Sequence, residues 1–248
     1  MRTVELYENT VKKKDEPSLL RIEVEKARQG YKIAKNTGLF CTPKVIDYDE
    51  VSGIVIFERL RGLQMMKDIL AFSPTMELVS RIGKVLAEIH SNLILPDEMR
   101  KPLPDEFQAP GDSQVFIHGD FNVENVLFMG QYDTIAVIDW QMTSVHGGEA
   151  TWGTRFFDIA WFINTLFYRP IYRYIGALHE APWAQIFLRS YSEASKEAIN
   201  EDQFRSYMER FFRLKMAQRR SSLNPLQRMS LVPANSRFFR FIKSFKLQ

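Results

Sequence analysis

The sequence predicts an α+β protein folded as two lobes about a cleft. Three observations carry that reading. The chain has 248 residues, with 45% apolar and 25% charged side chains, an ordinary globular balance. Strand patterns gather in the first sixty residues and again near the middle. Helical patterns fill the rest, and strands before helices point to α+β architecture.

Val4–Tyr7 and Thr10–Lys14 read as strands joined at Glu8-Asn9, a tight-turn pair. Pro17-Ser18 opens a helix with Leu20, Val24, Ala27, Tyr31 and Ala34 at helical spacing, and Gly38 ends it. Val45–Tyr48 and Ile54–Glu58 read as strands around Ser52-Gly53. Arg61-Gly62 breaks the pattern, so residues 1–60 are expected to form a first, nucleotide-binding lobe and residues 61–248 a second, catalytic and substrate-binding lobe. Thr75–Leu93 is amphipathic, with Leu78, Ile82, Val85, Leu86 and Ile89 on one face. A proline-rich connector follows. Val115–Ile117 reads as a strand and Val126–Phe128 with Ile135–Ile138 as a hairpin around Gly130. Phe156–Phe167, Trp183–Ala198 and Glu201–Arg219 read as helices.

Composition narrows the function. Cys41 is the single cysteine, which excludes an internal disulfide and any cysteine-based zinc cluster. The start of the sequence lacks an uninterrupted apolar region, and the richest apolar stretch, Phe156–Tyr168, carries Asp158 and is too short to span a bilayer. A cytoplasmic location is expected. From Arg210 to Gln248 there are ten Lys/Arg and no Asp or Glu, interleaved with Phe238, Phe239, Phe241 and Phe245. Such a tail suits either a helix packed on the body or peripheral contact with a membrane surface. No nucleic-acid partner is expected.

The segment HGDFNVENVLF, residues 118–128, followed by VIDW, residues 137–140, carries the chemistry. Phosphoryl transfer needs a group that orients the acceptor hydroxyl and takes its proton. It also needs oxygen ligands for Mg²⁺, which neutralises the triphosphate. Asp120 supplies the first, and Asn125, five residues on, a ligand from the same loop. Asp139, brought back by the hairpin, would complete the metal site.

This pattern resembles the catalytic elements of protein-kinase-like enzymes. With Gly between His and Asp, and Ile-Asp-Trp in place of Asp-Phe-Gly, it is similar to the aminoglycoside phosphotransferase and choline kinase branch. Leu86-Ala87-Glu88-Ile89-His90 resembles that branch's helix upstream of the loop, and Gly153 through Asp158-Ile159-Ala160 its downstream stretch. The resemblance covers roughly residues 10–168. It implies a two-lobed protein-kinase-like fold, ATP with Mg²⁺, Asp120 as catalytic base, and Asn125 and Asp139 as metal ligands. Asn122 is close by, but the five-residue spacing favours Asn125. His118 and Asp158 would support the catalytic loop structurally.

The resemblance further implies a strand lysine on the phosphates, held by a helix glutamate. Lys13 shares a strand face with Val11 and is the choice, with Lys12 the alternative. Glu23 lies among the buried positions Leu20, Val24 and Ala27, whereas Glu25 points away. Ile56–Leu60 with Gly62 resembles the hinge, where backbone groups of Phe57 and Arg59 would meet the adenine edge. The family has a strand pair with a phosphate-covering loop before the lysine strand. Here only Met1–Asn9 precedes it, so a truncated first lobe is expected, and whether a partner completes it is open.

The implied acceptor is a small molecule or glycan hydroxyl: a sugar, an amino alcohol or an aminoglycoside-like compound. His146, Glu149, Trp152, Arg155, Trp161 and Tyr168 are candidates for its pocket. A small atypical protein kinase is disfavoured, because no Ala-Pro-Glu segment follows Ile-Asp-Trp. A non-catalytic nucleotide-binding module is disfavoured by the intact Asp120, Asn125, Asp139 set. A metallohydrolase is remoter still.

Overall fold

A computed structural model describes residues 2–66, 75–130, 133–142, 148–168 and 180–247. Strands β1 (Thr3–Leu6), β2 (Thr10–Lys14), β4 (Val45–Asp49) and β5 (Ile54–Glu58) form an antiparallel sheet in the order β1-β2-β5-β4. Helix α1 (Pro17–Thr37) packs against it through Leu20, Val24 and Ala27, each at most 1% exposed. Pro17 starts α1 where no amide is needed. Gly38 ends it in the left-handed region at φ 67°, its N–H donating to the Ala34 carbonyl. Both ends fall where the sequence predicts them.

The second sheet surrounds the hairpin of β8 (Val126–Met129) and β9 (Thr134–Val137). Its order is β3-β9-β8-β6, with β3 (Phe40–Cys41) parallel to β9 and β6 (Gln64–Met65) antiparallel to β8. The sequence analysis did not anticipate β3, and its position alters the expected division. Residues 1–60 do not build only the first sheet, because Phe40–Cys41 joins the second. Phe40, 4% exposed, reaches the apolar core by that excursion. A two-stranded ribbon, β7 (Gln114–Phe116) with β10 (Trp152–Thr154), covers the start of the catalytic loop.

The rest is helical. α2 (Thr75–Asn92) and α3 (Phe156–Tyr168) precede α4 (Glu180–Ala194), α5 (Glu201–Ser222), α6 (Pro225–Ser230) and α7 (Val232–Ser244). α3 is buried nearly all round, which accounts for its weak polar periodicity. α5 starts at Asn200, whose side chain accepts from the Gln203 amide at 3.0 Å. α4 and α5 differ from the predicted bounds by up to four residues at an end. The mixed α+β class holds.

The C-terminal segment decides between the two readings of its aromatics. Phe238, Phe241, Ile242 and Phe245 are all buried, at most 4% exposed. Phe238 stacks on Phe167 at 4.9 Å between centroids, and Arg205 binds the carbonyls of Ile242 and Phe245 at 2.6 and 3.0 Å. These rings belong to the core and offer nothing to a bilayer; Phe239 is the exposed exception. No helix among the described residues is long and apolar enough to cross a membrane. Phe238→Ala is expected to lower the stability of the fold by about 3–5 kcal/mol. Phe239→Ala should stay within about 0.5 kcal/mol of wild type in urea unfolding, whereas a loosely attached tail would give small values for both.

Candidate active site

The catalytic segment begins where β7 ends. Asp158, fully buried at the first turn of α3, accepts the His118 amide at 2.7 Å and the Gly119 amide at 2.9 Å. His90 Nε2 donates to the same carboxylate at 3.0 Å, and His90 Nδ1 meets the Tyr191 hydroxyl at 2.8 Å. Burial alone would raise the Asp158 carboxyl. The hydrogen bond and charge of His90, with the Gly119 amide, outweigh it and hold the group below its ordinary range. The loop is thus clamped from behind by one anion.

His118 is also fully buried, and burial with the nearby Lys26 charge holds it down at about 4, so it is neutral. Its Nδ1 accepts the Asp120 amide at 3.2 Å, which places the proton on Nε2. The ring lies 4.6 Å from the Trp140 ring between centroids. A scaffold position fits these contacts better than a ligand position.

Asp120 stands at the front of the loop. Trp161 Nε1 donates to Oδ1 at 2.8 Å, Asn122 Nδ2 to Oδ1 at 2.9 Å, and Asn125 Nδ2 to Oδ2 at 2.8 Å. Burial pushes the Asp120 carboxyl up to about 6, against the pull of those three donors and with a push from Asp139. Asn122 spends its own oxygen on the amides of Glu124 and Asn125, at 2.7 and 3.3 Å, and so shapes the turn. Asn125 Nδ2 also reaches the Asp120 carbonyl at 2.9 Å.

Lys13 and Glu23 meet in the interior. Lys13 Nζ donates to Glu23 Oε2 at 2.6 Å and to Asp139 Oδ1 at 3.1 Å. Both partners of the first pair are buried, whereas Lys12 pairs with Glu5 on the surface at 3.7 Å. Burial lifts the Glu23 carboxyl, opposed by Lys13 and reinforced by Asp139. Asp139 has φ 54°, the one non-glycine residue with positive φ among the described residues. Burial would raise its carboxyl, but Lys13 and Arg2 hold it below the usual range. Arg2 donates to Asp139 Oδ2 at 2.9 Å, a contact the sequence gave no reason to expect.

Two further residues join the lobes. Lys26 is fully buried and donates to the His118 carbonyl at 2.9 Å; burial holds its ammonium down at about 8. It sits one turn after Glu23 on the inward face of α1, which was the available signal. Trp140 Nε1 donates to Thr42 Oγ1 at 2.8 Å, and the Trp140 ring rests on Gly30. A Cβ at Gly30 would lie 2.3 Å from that ring, so only glycine permits the approach.

A cavity of about 820 Å³ opens in front of this group. Val11, Ala27, Phe57, Leu60 and Ile138 line it, with Lys13, Glu23 and Asp139 at its charged end. Apolar walls ending in a lysine and carboxylates fit a purine nucleotide. Phe57 and Arg59, the expected hinge residues, both line this cavity. The Arg59 amide donates to the Asn9 carbonyl at 2.9 Å and the Glu58 amide to the Lys44 carbonyl at 2.8 Å. Phe57 is paired within the sheet, opposite both Val11 and Val45. Among the described residues, Leu60 is the first along this stretch whose amide has no backbone acceptor. Backbone pairing therefore continues one residue past the predicted strand end at Glu58.

The proposed acceptor residues do not assemble as a group. Only Trp161 touches Asp120. Arg155 is spent on Asp112 at 3.0 Å and on the carbonyls of Glu197 and Ala198 at 2.7 and 2.8 Å. Glu149 is paired with Lys101. Trp152 packs on Phe116, with the Arg100 guanidinium 4.4 Å above its ring. Tyr168 donates to Asn235 at 2.8 Å. His146 lies outside the described residues.

The donor set also bears on the metal. Among the described residues no group of three or more His, Cys, Asp or Glu could hold an ion alone. Mg²⁺ seldom needs such a cage, since it takes one or two protein oxygens and completes its shell with water and phosphate. Asp139 and Asn125 fit that requirement.

Proteins that this chain resembles include phosphotransferases. The sequence model of the phosphotransferase enzyme family, APH, matches residues 94–201, which include Asp120, Asn125, Asp139 and Asp158. A choline/ethanolamine kinase family protein from Mesorhizobium loti superposes with a TM-score of 0.60 at 13% identity, covering 99% of this chain and 86% of its own. A glucosamine kinase crystallised with glucosamine, ADP and inorganic phosphate gives 0.60 at 14%, covering 95% of this chain and 78% of its own. Choline kinase LicA from Streptococcus pneumoniae gives 0.55 at 14%, with 98% and 90% covered. The fold is thus the protein-kinase-like fold of choline kinases and aminoglycoside phosphotransferases, as the resemblance in the sequence implied. A segment of 103 residues, 40% of the chain, is 23% identical to Acyl-CoA dehydrogenase family member 11 of Gallus gallus and spans 13% of that protein's length.

Removing the anion behind the loop should be costly. Asp158→Ala leaves His90 and two amides without their acceptor and is expected to cost about 3–5 kcal/mol in urea unfolding. In wild type the depressed Asp158 carboxyl contributes stability above the unfolded value of about 3.9, lost as pH falls through its lower folded value. Acid unfolding followed by near-UV circular dichroism should shift to higher pH in His90→Ala.

Proposed function

We propose that the protein is an ATP-dependent phosphotransferase that moves the γ-phosphate to a hydroxyl of a small molecule or glycan. The observation that carries this reading is the joining of two clusters by the backbone next to Asp139, where the Ile138 amide donates to the Asn125 carbonyl at 3.0 Å. One is Lys13, Glu23 and Asp139 at the charged end of the cavity; the other is Asp120 with Asn125 on the clamped loop.

In this reading the adenine lies between Val11, Phe57 and Ile138, and Lys13 faces the phosphates. Glu23 keeps Lys13 extended toward them. Asn125 and Asp139 would hold Mg²⁺, which supplies charge neutralisation on the phosphates. Asp120 orients the acceptor hydroxyl. As that oxygen bonds to the γ-phosphorus, the bond to the bridging oxygen of ADP breaks, and the hydroxyl proton passes to Asp120. A carboxylate raised to about 6 is ionised at neutral pH yet more basic than an exposed aspartate, which suits a general base. Trp161, Asn122 and Asn125 fix its orientation.

The test is Mg-ATP turnover over a panel of sugars, amino alcohols and aminoglycosides. With a productive acceptor, Asp120→Asn should lower kcat by about 10²–10⁴-fold. A variant matching wild type would remove Asp120 from the mechanism. Because the base acts deprotonated, kcat/KM should rise with pH through about 6 and then level off; a profile flat from pH 5 to 8 would contradict this. Asp139→Ala should abolish Mg²⁺-dependent nucleotide binding in calorimetry, and unchanged affinity would count against its role as a ligand.

A further inference from the structure

Among the described residues, two cations lie along the helix face that carries Trp161, the residue that holds Asp120. α3 presents Trp161, Asn164 and Tyr168 along one stripe, and α5 answers with Lys215 and Arg219, one turn apart. Lys215 Nζ stands 4.7 Å from the centroid of the Trp161 ring, whose Nε1 holds Asp120. Arg219 donates to Asn164 Oδ1 at 2.9 Å, and its guanidinium lies 3.5 Å over the Tyr168 ring. Burial, with the Arg219 charge beside it, holds the Lys215 ammonium down at about 8. Beyond Arg219 a cavity of about 290 Å³ opens between α5, α6 and α7. Arg219, Arg220 and Arg228 line it, with Met216, Met229 and Asn235 among its walls. No carboxylate lines it among the described residues. The nearby Glu180 is bound by Arg237 at 2.8 Å.

We propose that the acceptor carries a phosphate group, seated in the cavity of Arg219, Arg220 and Arg228, while its hydroxyl reaches Asp120 past Trp161. This deepens the phosphotransferase reading and rests on it. A phosphorylated acceptor would complement the positive charge of Lys215 and Arg219 along this row. Guanidinium forks match phosphate oxygens in charge and geometry. The spacing also fits. Trp161 and Tyr168 are seven residues apart on α3, or ~10 Å along the axis. That is about the span of one sugar ring and its ester. The methionines beside the arginines give the site an apolar wall that inorganic phosphate alone does not need.

Calorimetric titration of the full chain tests the assignment. The probes are glucose 6-phosphate and glucosamine 6-phosphate, each against its unphosphorylated sugar, together with inorganic phosphate and phosphatidic acid vesicles. The phosphorylated probe is expected to bind at least about tenfold more tightly than its parent, as the loss of one charge-assisted contact implies. The double variant Arg220→Ala with Arg228→Ala should lose at least that factor, and the double lysine variant should retain most of the affinity. Binding to the sugar phosphates assigns a soluble acceptor; binding to the vesicles alone assigns a phospholipid headgroup. Equal affinity for parent and phosphorylated sugar, no binding of any phosphate probe, or an alanine variant that binds as wild type overturns the proposal. Mg-ATP affinity, measured alongside, separates the two readings: if it is normal while phosphate binding fails, only the acceptor assignment falls. If Mg-ATP does not bind, the phosphotransferase reading falls as well.

Discussion

A single buried carboxylate organises the second lobe. Asp158 has no exposed surface and accepts from two consecutive amides of the catalytic loop and from His90. A charge in so dry a place is tolerable only when every oxygen is satisfied. Satisfying it fixes three elements together: α3, which carries it; α2, which brings His90; and the loop, which brings the amides. Tyr191 extends the chain of contacts to α4 through His90. The position of Asp120 is therefore inherited from groups that never meet substrate.

The front of the site is arranged differently, with two cations and two carboxylates sharing partners. Asp139 sits in a sparsely populated backbone region and draws two cations, Lys13 and Arg2. Lys13 divides its ammonium between Glu23 and Asp139. A triphosphate and its cation would redistribute those pairings without exposing any of the charges to an apolar wall. Asp120, by contrast, has its partners in place already, and all three are donors on fixed elements.

Local pattern was readable wherever it followed from spacing. α1 was legible from Pro17, its periodic apolar residues and Gly38. Glu23 was separable from Glu25 by helical phase alone, and Lys13 from Lys12 by strand alternation. The loop was legible because Asp120 and Asn125 lie on one short segment. What sequence could not give was pairing between distant segments. β3 is two residues long and has no periodicity of its own; only its ladder with β9 defines it. The backbone bonds from Arg59 to Asn9 and from Glu58 to Lys44 likewise join segments that are distant in sequence. Arg155 was read as an acceptor ligand because its partner, Asp112, lies 43 residues away in a connector without pattern. The tail's aromatics looked available because nothing in their own segment shows the surface of α3 and α5 that covers them.

The short strand β3 has a mechanical meaning. It leaves α1 through Gly38, runs beside β9 and returns to β4, so the first sheet is stitched to the strand that leads to Asp139. A jaw hinged only at residues 59–63 could swing without disturbing its lower half. This one is tied, because the thread that leaves α1 pairs with the strand leading to Asp139. Movement of the first sheet and the position of Asp139 are therefore geared to one another.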